Sequence, residues 1–348
     1  MRRWLLLLAL GGWTCVARAE IPAVLQRMLD AADTLHYRGV VVQVEGKYTQ
    51  SVSLVHRPGE DGGQDEVHSL QGHYWEIRRT GDTCRVGLGG ERTARDEAVV
   101  AAMFPSMMPR RLKYLVEYFE FQPIGRGRVA GREAEFTLAR PRDQYLLPRL
   151  LVTDAATGLL LKGSLLDERG VELRQAFFAS LEIADKSPPS WAKPEPDPAG
   201  PLTWKEYRLD RRPFGKDLPW RIGWMPPGYF VSDYRRDEAR SGGAAFEHIT
   251  VSNGLATVAV FIESASTPAP AAAPGRAKPP RGAHHVGSLN ALATTVNGRQ
   301  VTLIGTGTQA LLEGLASGLA PNEPAAAAAS PDTASSAVPI PFKAVERQ

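Results

Sequence analysis

IPAVLQRMLDAADTLHYRGVVVQVEGKYTQSVSLVHR, residues 21–57, contains the change of period that sets the fold. Over residues 21–35, Ile21, Val24, Leu25, Met28, Leu29, Ala32 and Leu35 recur at the i, i+3, i+4, i+7 spacing of one helix face. The period then falls to two. Val40, Val42 and Val44 alternate with Val41, Gln43 and Glu45, Gly46 turns the chain, and Val52 and Leu54 carry the pattern on. An amphipathic helix running straight into a hairpin predicts an antiparallel sheet with a helix laid against it.

Further along, the same pattern repeats. Strand-like runs at Glu66–Leu70 and His73–Arg79, the latter with His73, Trp75 and Ile77 on one side, lead through Gly81-Asp82 to a run carrying Cys84, Val86 and Leu88 on one face. That spacing makes Cys84 a buried core thiol. Residues 97–115 read as a helical stretch interrupted by Pro105 and Pro109, and strand patterns return near Ala134–Leu138 and over 144–152, 159–166 and 172–183. Residues 187–201 hold six prolines and read as a semi-rigid linker. A smaller domain follows over 202–320, with hairpin signals at Asn253-Gly254 and Asn297-Gly298 and a closing helix capped by Thr308. Residues 264–281 and 321–348, rich in Ala and Pro, read as a disordered loop and tail.

The first 19 residues have the form of an export signal: Arg2-Arg3, an apolar run from Trp4 to Leu10, and Ala17-Arg18-Ala19 before Glu20. Cleavage between Ala19 and Glu20 leaves 38 basic and 38 acidic residues, so a nucleic-acid partner lacks the basic surplus it would need. The large domain, 20–186 with its linker, carries 23 basic and 26 acidic residues, whereas 202–320 carries 13 and 9. The smaller domain is therefore the better match to an acidic partner.

No sequence motif carries a catalytic set: there is no Walker-type loop, no GxSxG elbow and no HExxH. Gly125–Gly131 misses the dinucleotide spacing and reads as a basic hairpin turn. His56, His68 and His73 can meet across the meander, most simply as cross-strand polar pairs, and His284 and His285 are adjacent and point to opposite faces. No metal or cofactor is expected. A binding protein remains. One candidate surface is an apolar cradle lined by Val42, Val44, Trp75, Ile77, Met103, Met107, Met108 and Phe136, able to take an acyl chain, although the same side chains would serve equally as core. The other is a partner-binding patch of Trp224, Tyr229, Arg235, Arg236 and Arg240, with a plain solvated charge run as the alternative for the arginines.

Several stretches resemble the RseB/MucB family of periplasmic regulators of the sigma-E (AlgU-type) envelope stress response. They are Tyr37-Arg38-Gly39, Leu70-Gln71-Gly72, Glu76–Asp82, Ile124–Arg132, Thr157–Lys162 with Leu165–Gly170, Trp224–Phe230, Val251–Ala256 with Val258–Ile262, and Val301–Gly305. Their order and spacing, more than any one of them, carry the resemblance. It implies an α+β protein: a large N-terminal LolA/LolB-like unclosed antiparallel β-barrel with helices, then a smaller C-terminal antiparallel sheet with a terminal helix. It also implies a non-enzymatic regulator that binds the periplasmic domain of an inner-membrane anti-sigma factor of the RseA/MucA type. Such a regulator shields that factor from regulated proteolysis and is released by lipopolysaccharide or a lipoprotein acyl chain. A lipid or lipoprotein carrier of the LolA type is the alternative, and homo-oligomerisation stays open. Two segments depart from the family pattern. Pro141–Pro148 replaces an aromatic-rich strand, and Thr306–Gln309 replaces an acid and a valine-proline pair.

Overall fold

The computed structural model describes residues 21–59, 63–81, 83–89, 115–184, 189–192, 202–208, 213–214, 217–237, 246–263, 282–286 and 289–322. Ala19, Glu20, Met103, Met107, Met108 and Arg240, the loop 264–281 and the tail from 323 lie outside these residues.

The opening helix, α1, spans Ala23–Thr34 and buries Leu25, Met28, Ala31 and Ala32, as the spacing requires. Ile21 falls before the helix and is exposed. The first sheet has eleven antiparallel strands: β1 (His36–Glu45), β2 (Tyr48–Arg57), β3 (Gln64–Ser69), β4 (Trp75–Thr80), β5 (Thr83–Leu88), β6 (Phe119–Val129), β7 (Arg132–Pro141), β8 (Arg149–Asp154), β9 (Leu160–Leu166), β10 (Glu172–Ala184) and β11 (Thr203–Arg208). Their order is β11-β5-β4-β3-β2-β1-β10-β9-β8-β7-β6, so the sheet ends on β11 and β6 and does not close. A one-turn helix, α2 (Leu115–Tyr118), leads into β6.

The second sheet runs β13-β14-β15-β18-β17-β16. Its strands are β13 (Phe230–Asp237), β14 (Phe246–Ser252), β15 (Thr257–Glu263), β16 (Gly282–Val286), β17 (Leu289–Val296) and β18 (Arg299–Gly305). A short pair, β12 (Trp220–Ile222) with β19 (Leu319–Pro321), brackets the last helix, α3 (Gln309–Gly318). Thr308 caps α3, accepting from the Leu311 N–H at 3.4 Å.

Three expectations are corrected. Residues 203–208, assigned by sequence to the smaller domain, pair with β5 along their whole length and extend the first sheet. The first sheet therefore takes a further strand from beyond the proline-rich segment. The turn expected over Gly125–Gly131 is narrower: β6 runs on to Val129, and the hairpin turn is Ala130-Gly131, both at positive φ. Gly127 serves packing there, since a Cβ would meet the Phe136 ring at 2.9 Å.

The third correction concerns the faces of β1. Directly paired residues share a face. The register joins Val41 to Val52, Val52 to Ser69, Leu54 to Val67, Val67 to Ile77 and Trp75 to Leu88. Those odd-numbered positions of β1 lie under α1, where Ala31 joins the same core as Trp75 and Ile77. Val42 and Val44 therefore point to the opposite face and are only half-buried. Phe136 follows Val42 there, through Phe177, Lys162 and Val152. The described part of the expected cradle is thus split between two faces. Three consecutive valines, 40–42, leave the alternation without a polar marker, and buried Gln43 misdirects it.

Candidate functional site

One hydrophobic cluster crosses between the sheets. Leu25 and Met28 of α1 and Phe119, Ala139 and Leu151 of the first sheet share it with Trp220, Tyr229, Ile249, Val258, Leu303 and Leu311. The residues that make this seam polar and specific come from four short segments.

The first is the loop 142–148, between β7 and β8. Thr308 binds it twice: its hydroxyl donates to the Gln144 carbonyl at 2.6 Å, and its N–H donates to the Tyr145 carbonyl at 3.2 Å. The residue that caps α3 thereby also ties α3 to the large sheet. The second is the segment Trp224–Tyr229. Trp224 meets Tyr145 edge-on, ring centroids 5.1 Å apart, and lies across α3 where Gly314 and Gly318 leave room; a Cβ on Gly314 would overlap the indole ring. Gly228, at φ +80°, lets the backbone come so near the Tyr118 hydroxyl that a Cβ would overlap it.

The third segment is the turn 253–256. Asn253 is fully buried, and its Oδ1 accepts from the N–H groups of Leu255 and Ala256 at 2.9 and 2.8 Å. That turn aims the Leu255 carbonyl at the fourth element, the start of β8, where Arg149 Nη2 donates to it at 2.9 Å. Burial, and then the charge of Arg174, press the Arg149 guanidinium down to about 10. Burial, then Asp143, push the Tyr229 hydroxyl well up.

Trp224 and Tyr229 thus build the domain seam, and Tyr229 is buried within it. Arg235 and Arg236 lie on β13, both exposed, with Arg235 Nε on Asp233 at 2.9 Å. Adjacent on a strand, they face opposite ways. The expected patch is therefore not one surface. Nearness in sequence misled because an extended strand carries each residue about 3.3 Å further from Tyr229.

A second polar cluster went unread in the sequence. His56 sits directly opposite Asp65 across β2 and β3, with Nδ1 on the Asp65 carboxylate and Nε2 on the Ala32 carbonyl of α1, each at 2.6 Å. Arg79 Nε donates to the other Asp65 oxygen at 2.5 Å, and the Tyr37 ring stacks on His56 at 4.5 Å. Burial works to raise the Asp65 carboxyl, but the hydrogen bond and charge of His56 and the charge of Arg79 outweigh it and hold it low. His68 stacks on Tyr74 instead, and His73 is exposed in a turn, so the three histidines do not meet. Cys84 is buried, as expected. Among the described residues no group of His, Cys, Asp and Glu could hold a metal ion.

Comparison with known proteins agrees with this two-sheet frame. The chain is 29% identical over 313 residues to the sigma factor AlgU regulatory protein MucB of Pseudomonas aeruginosa, covering 88% of this chain and 93% of that one. It is 24% identical over 283 residues to the sigma-E factor regulatory protein RseB of Haemophilus influenzae, covering 81% and 85%. In fold it is similar to MucB as solved in complex with MucA(peri), with a TM-score of 0.62 and 22% identity over 86% of this chain and 98% of that one. A second complex, Pseudomonas aeruginosa MucA/MucB, gives a TM-score of 0.63 at 21% identity with the same coverage. The MucB/RseB N-terminal domain matches residues 20–196 and the MucB/RseB C-terminal domain matches residues 215–319, and the chain belongs to the MucB/RseB family.

Proposed function

We propose that this chain is an exported regulator that grips the periplasmic domain of a membrane-spanning anti-sigma factor, shields it from regulated proteolysis and so keeps a sigma-E-type factor inactive. The observation that carries this reading is the extent of the match. Both domains and the seam between them are covered, and the Pseudomonas aeruginosa relative, named as a sigma factor regulatory protein, is matched over 93% of its length. The two sheets and the Arg149, Thr308 and Trp224 contacts between them supply a stiff frame against which an extended segment can be laid.

Residues 1–19 are proposed as the export signal, cut between Ala19 and Glu20; the mass of the exported protein tests that directly. Release follows from differential binding: a lipid, lipoprotein or lipopolysaccharide that favours the partner-free state lowers the partner's apparent affinity tenfold for each ~1.4 kcal/mol of difference. Calorimetry of the chain from residue 20 onward against the candidate anti-sigma periplasmic domain, repeated with lipopolysaccharide, tests both halves. Micromolar or tighter binding that the lipid abolishes is the expected result. No heat and no complex on sizing would sink the reading and bring the carrier alternative forward, to be pursued by mass spectrometry for co-purified lipid. Arg235→Glu with Arg236→Glu, on an exposed strand, should weaken the partner and flatten its salt dependence.

A further inference from the structure

The row of residues at one end of the first sheet has unequal charges. The register sets Glu45 beside Arg174, Arg174 beside Leu165 and Leu165 beside Arg149, all on one face. Arg174 has its acid, with Nε 3.1 Å from Glu45. Arg149 forms no ion pair among the described residues. Its Nη2 is spent on the Leu255 carbonyl, and its Nε is shielded from water with no acceptor. Tyr229 stands near enough for its hydroxyl and the guanidinium to act on each other electrostatically, and that hydroxyl is also buried without a partner. The Asp143 charge also acts on Tyr229, but its Oδ1 is already held by the Tyr145 N–H at 2.8 Å.

A partly buried cation with no counter-ion and a buried hydroxyl with no partner are each costly, and one ligand can satisfy both. We propose that the domain seam holds a carboxylate-binding site, in which Arg149 Nε and the Tyr229 hydroxyl each donate to one oxygen of an acidic side chain on a peptide laid across both domains. The charge balance selects the carboxylate: one uncompensated cation matches one negative charge, whereas a phosphomonoester carries about −1.5 to −2. Arg149 keeps part of its surface in solvent, whereas its Nε and the Tyr229 hydroxyl are shielded, so a ligand reaches them only where the seam opens. Because the guanidinium also holds Leu255 of the smaller domain, occupancy bears on how firmly the two sheets are joined.

The identity of the peptide rests on the anti-sigma reading; the chemistry of the site does not. The probe is therefore acetyl-Gly-Glu-Gly-amide, titrated into the chain from residue 20 onward, with the glutamine counterpart and inorganic phosphate in parallel. The glutamate peptide should bind in the millimolar range and the glutamine peptide should not. Tyr229→Phe, which removes only an unpartnered oxygen, should weaken it about tenfold, and Arg149→Gln by more. Thermal melts confirm that each variant is folded. No binding to the wild type, equal binding of the glutamine peptide, tighter binding of phosphate, or an affinity unchanged in Tyr229→Phe would overturn the proposal. A failed tripeptide titration leaves the anti-sigma reading intact, and a failed anti-sigma titration leaves this site intact.

Discussion

Replacing Asp65 by asparagine removes a negative charge from a cluster enclosed by α1 and three strands. His56, Asp65 and Arg79 are 1%, 5% and 4% exposed. His56 has Nδ1 on the Asp65 carboxylate and Nε2 on the Ala32 carbonyl, each at 2.6 Å, and Arg79 Nε donates to the other Asp65 oxygen. The Asp65 carboxylate is thus the common partner of the His56 ring and the Arg79 guanidinium. Removing one partner of such a buried pair costs ~3–5 kcal/mol, because the charge left behind loses its buried partner. With an m-value of ~2 kcal/mol/M in urea, the unfolding midpoint of the large domain should fall by roughly 1.5–2.5 M. Far-UV circular dichroism and tryptophan fluorescence read the transition, and Trp75 lies in the same core. Replacing all three residues together by His56→Leu, Asp65→Leu and Arg79→Met should recover most of the loss, since an apolar filling removes the stranded charges. A midpoint shift under about 0.5 M for Asp65→Asn alone, ~1 kcal/mol at that m-value, would show that water or another group neutralises the cluster, and would refute the reasoning.

The same carboxyl gives a pH dependence. Its native pKa is held below the ordinary value of ~3.9, so its contribution is in place above that value and is lost as the pH falls through the native one. Urea midpoints taken from neutral pH down to about 3 should fall more steeply for the wild type than for Asp65→Asn; parallel curves would count against the assignment. Gly314→Ala should destabilise by ~1–3 kcal/mol despite the usual helical gain, because the new methyl overlaps Trp224; a raised melting temperature would show that the indole moves aside freely. Thr308→Ala removes both a helix cap and the bond to Gln144, a loss of ~1–2 kcal/mol, with faster amide exchange at Leu311 as the local signature.

What could be read from the sequence was whatever has a local period or a local cap. The α1 spacing, the hairpins at Gly46 and Asn297-Gly298 and the Thr308 cap all depend on neighbours a few residues away. What could not be read depends on partners far along the chain. Joining 203–208 to β5 spans more than a hundred residues, and no composition signal marks it. Tyr229 looks like an exposed aromatic until Tyr118 of α2, Asp143 of the β7–β8 loop and Arg149 of β8 come near it. His56 and Asp65 are nine residues apart and directly opposed once the hairpin register is known, so that pair was within reach of a strand-pairing argument; its tie to Ala32 was not.

The stretches that carry the family resemblance are, in the structure, mostly joints. Asp154 accepts from the backbone and hydroxyl of Thr157 at the turn before β9, and Asp167 accepts from the N–H groups of Arg169 and Val171 at the turn after it. Asn253 shapes the turn that offers Leu255 to Arg149, and Gly228 admits Tyr118. These residues fix backbone direction, which a chain 29% identical to its relative can retain while its surface changes. The two segments that depart from the family pattern, Pro141–Pro148 and Thr306–Gln309, are not independent of one another. Thr308 donates to Gln144 and to Tyr145, so the departures meet in a single contact. A new loop between β7 and β8 needs a matching cap on α3, and a threonine supplies both bonds while still starting the helix. The seam is thus the place where this chain has its own solution. Arg149, which holds the Leu255 carbonyl and forms no ion pair among the described residues, and Tyr229, buried with its hydroxyl unpartnered, belong to that same seam.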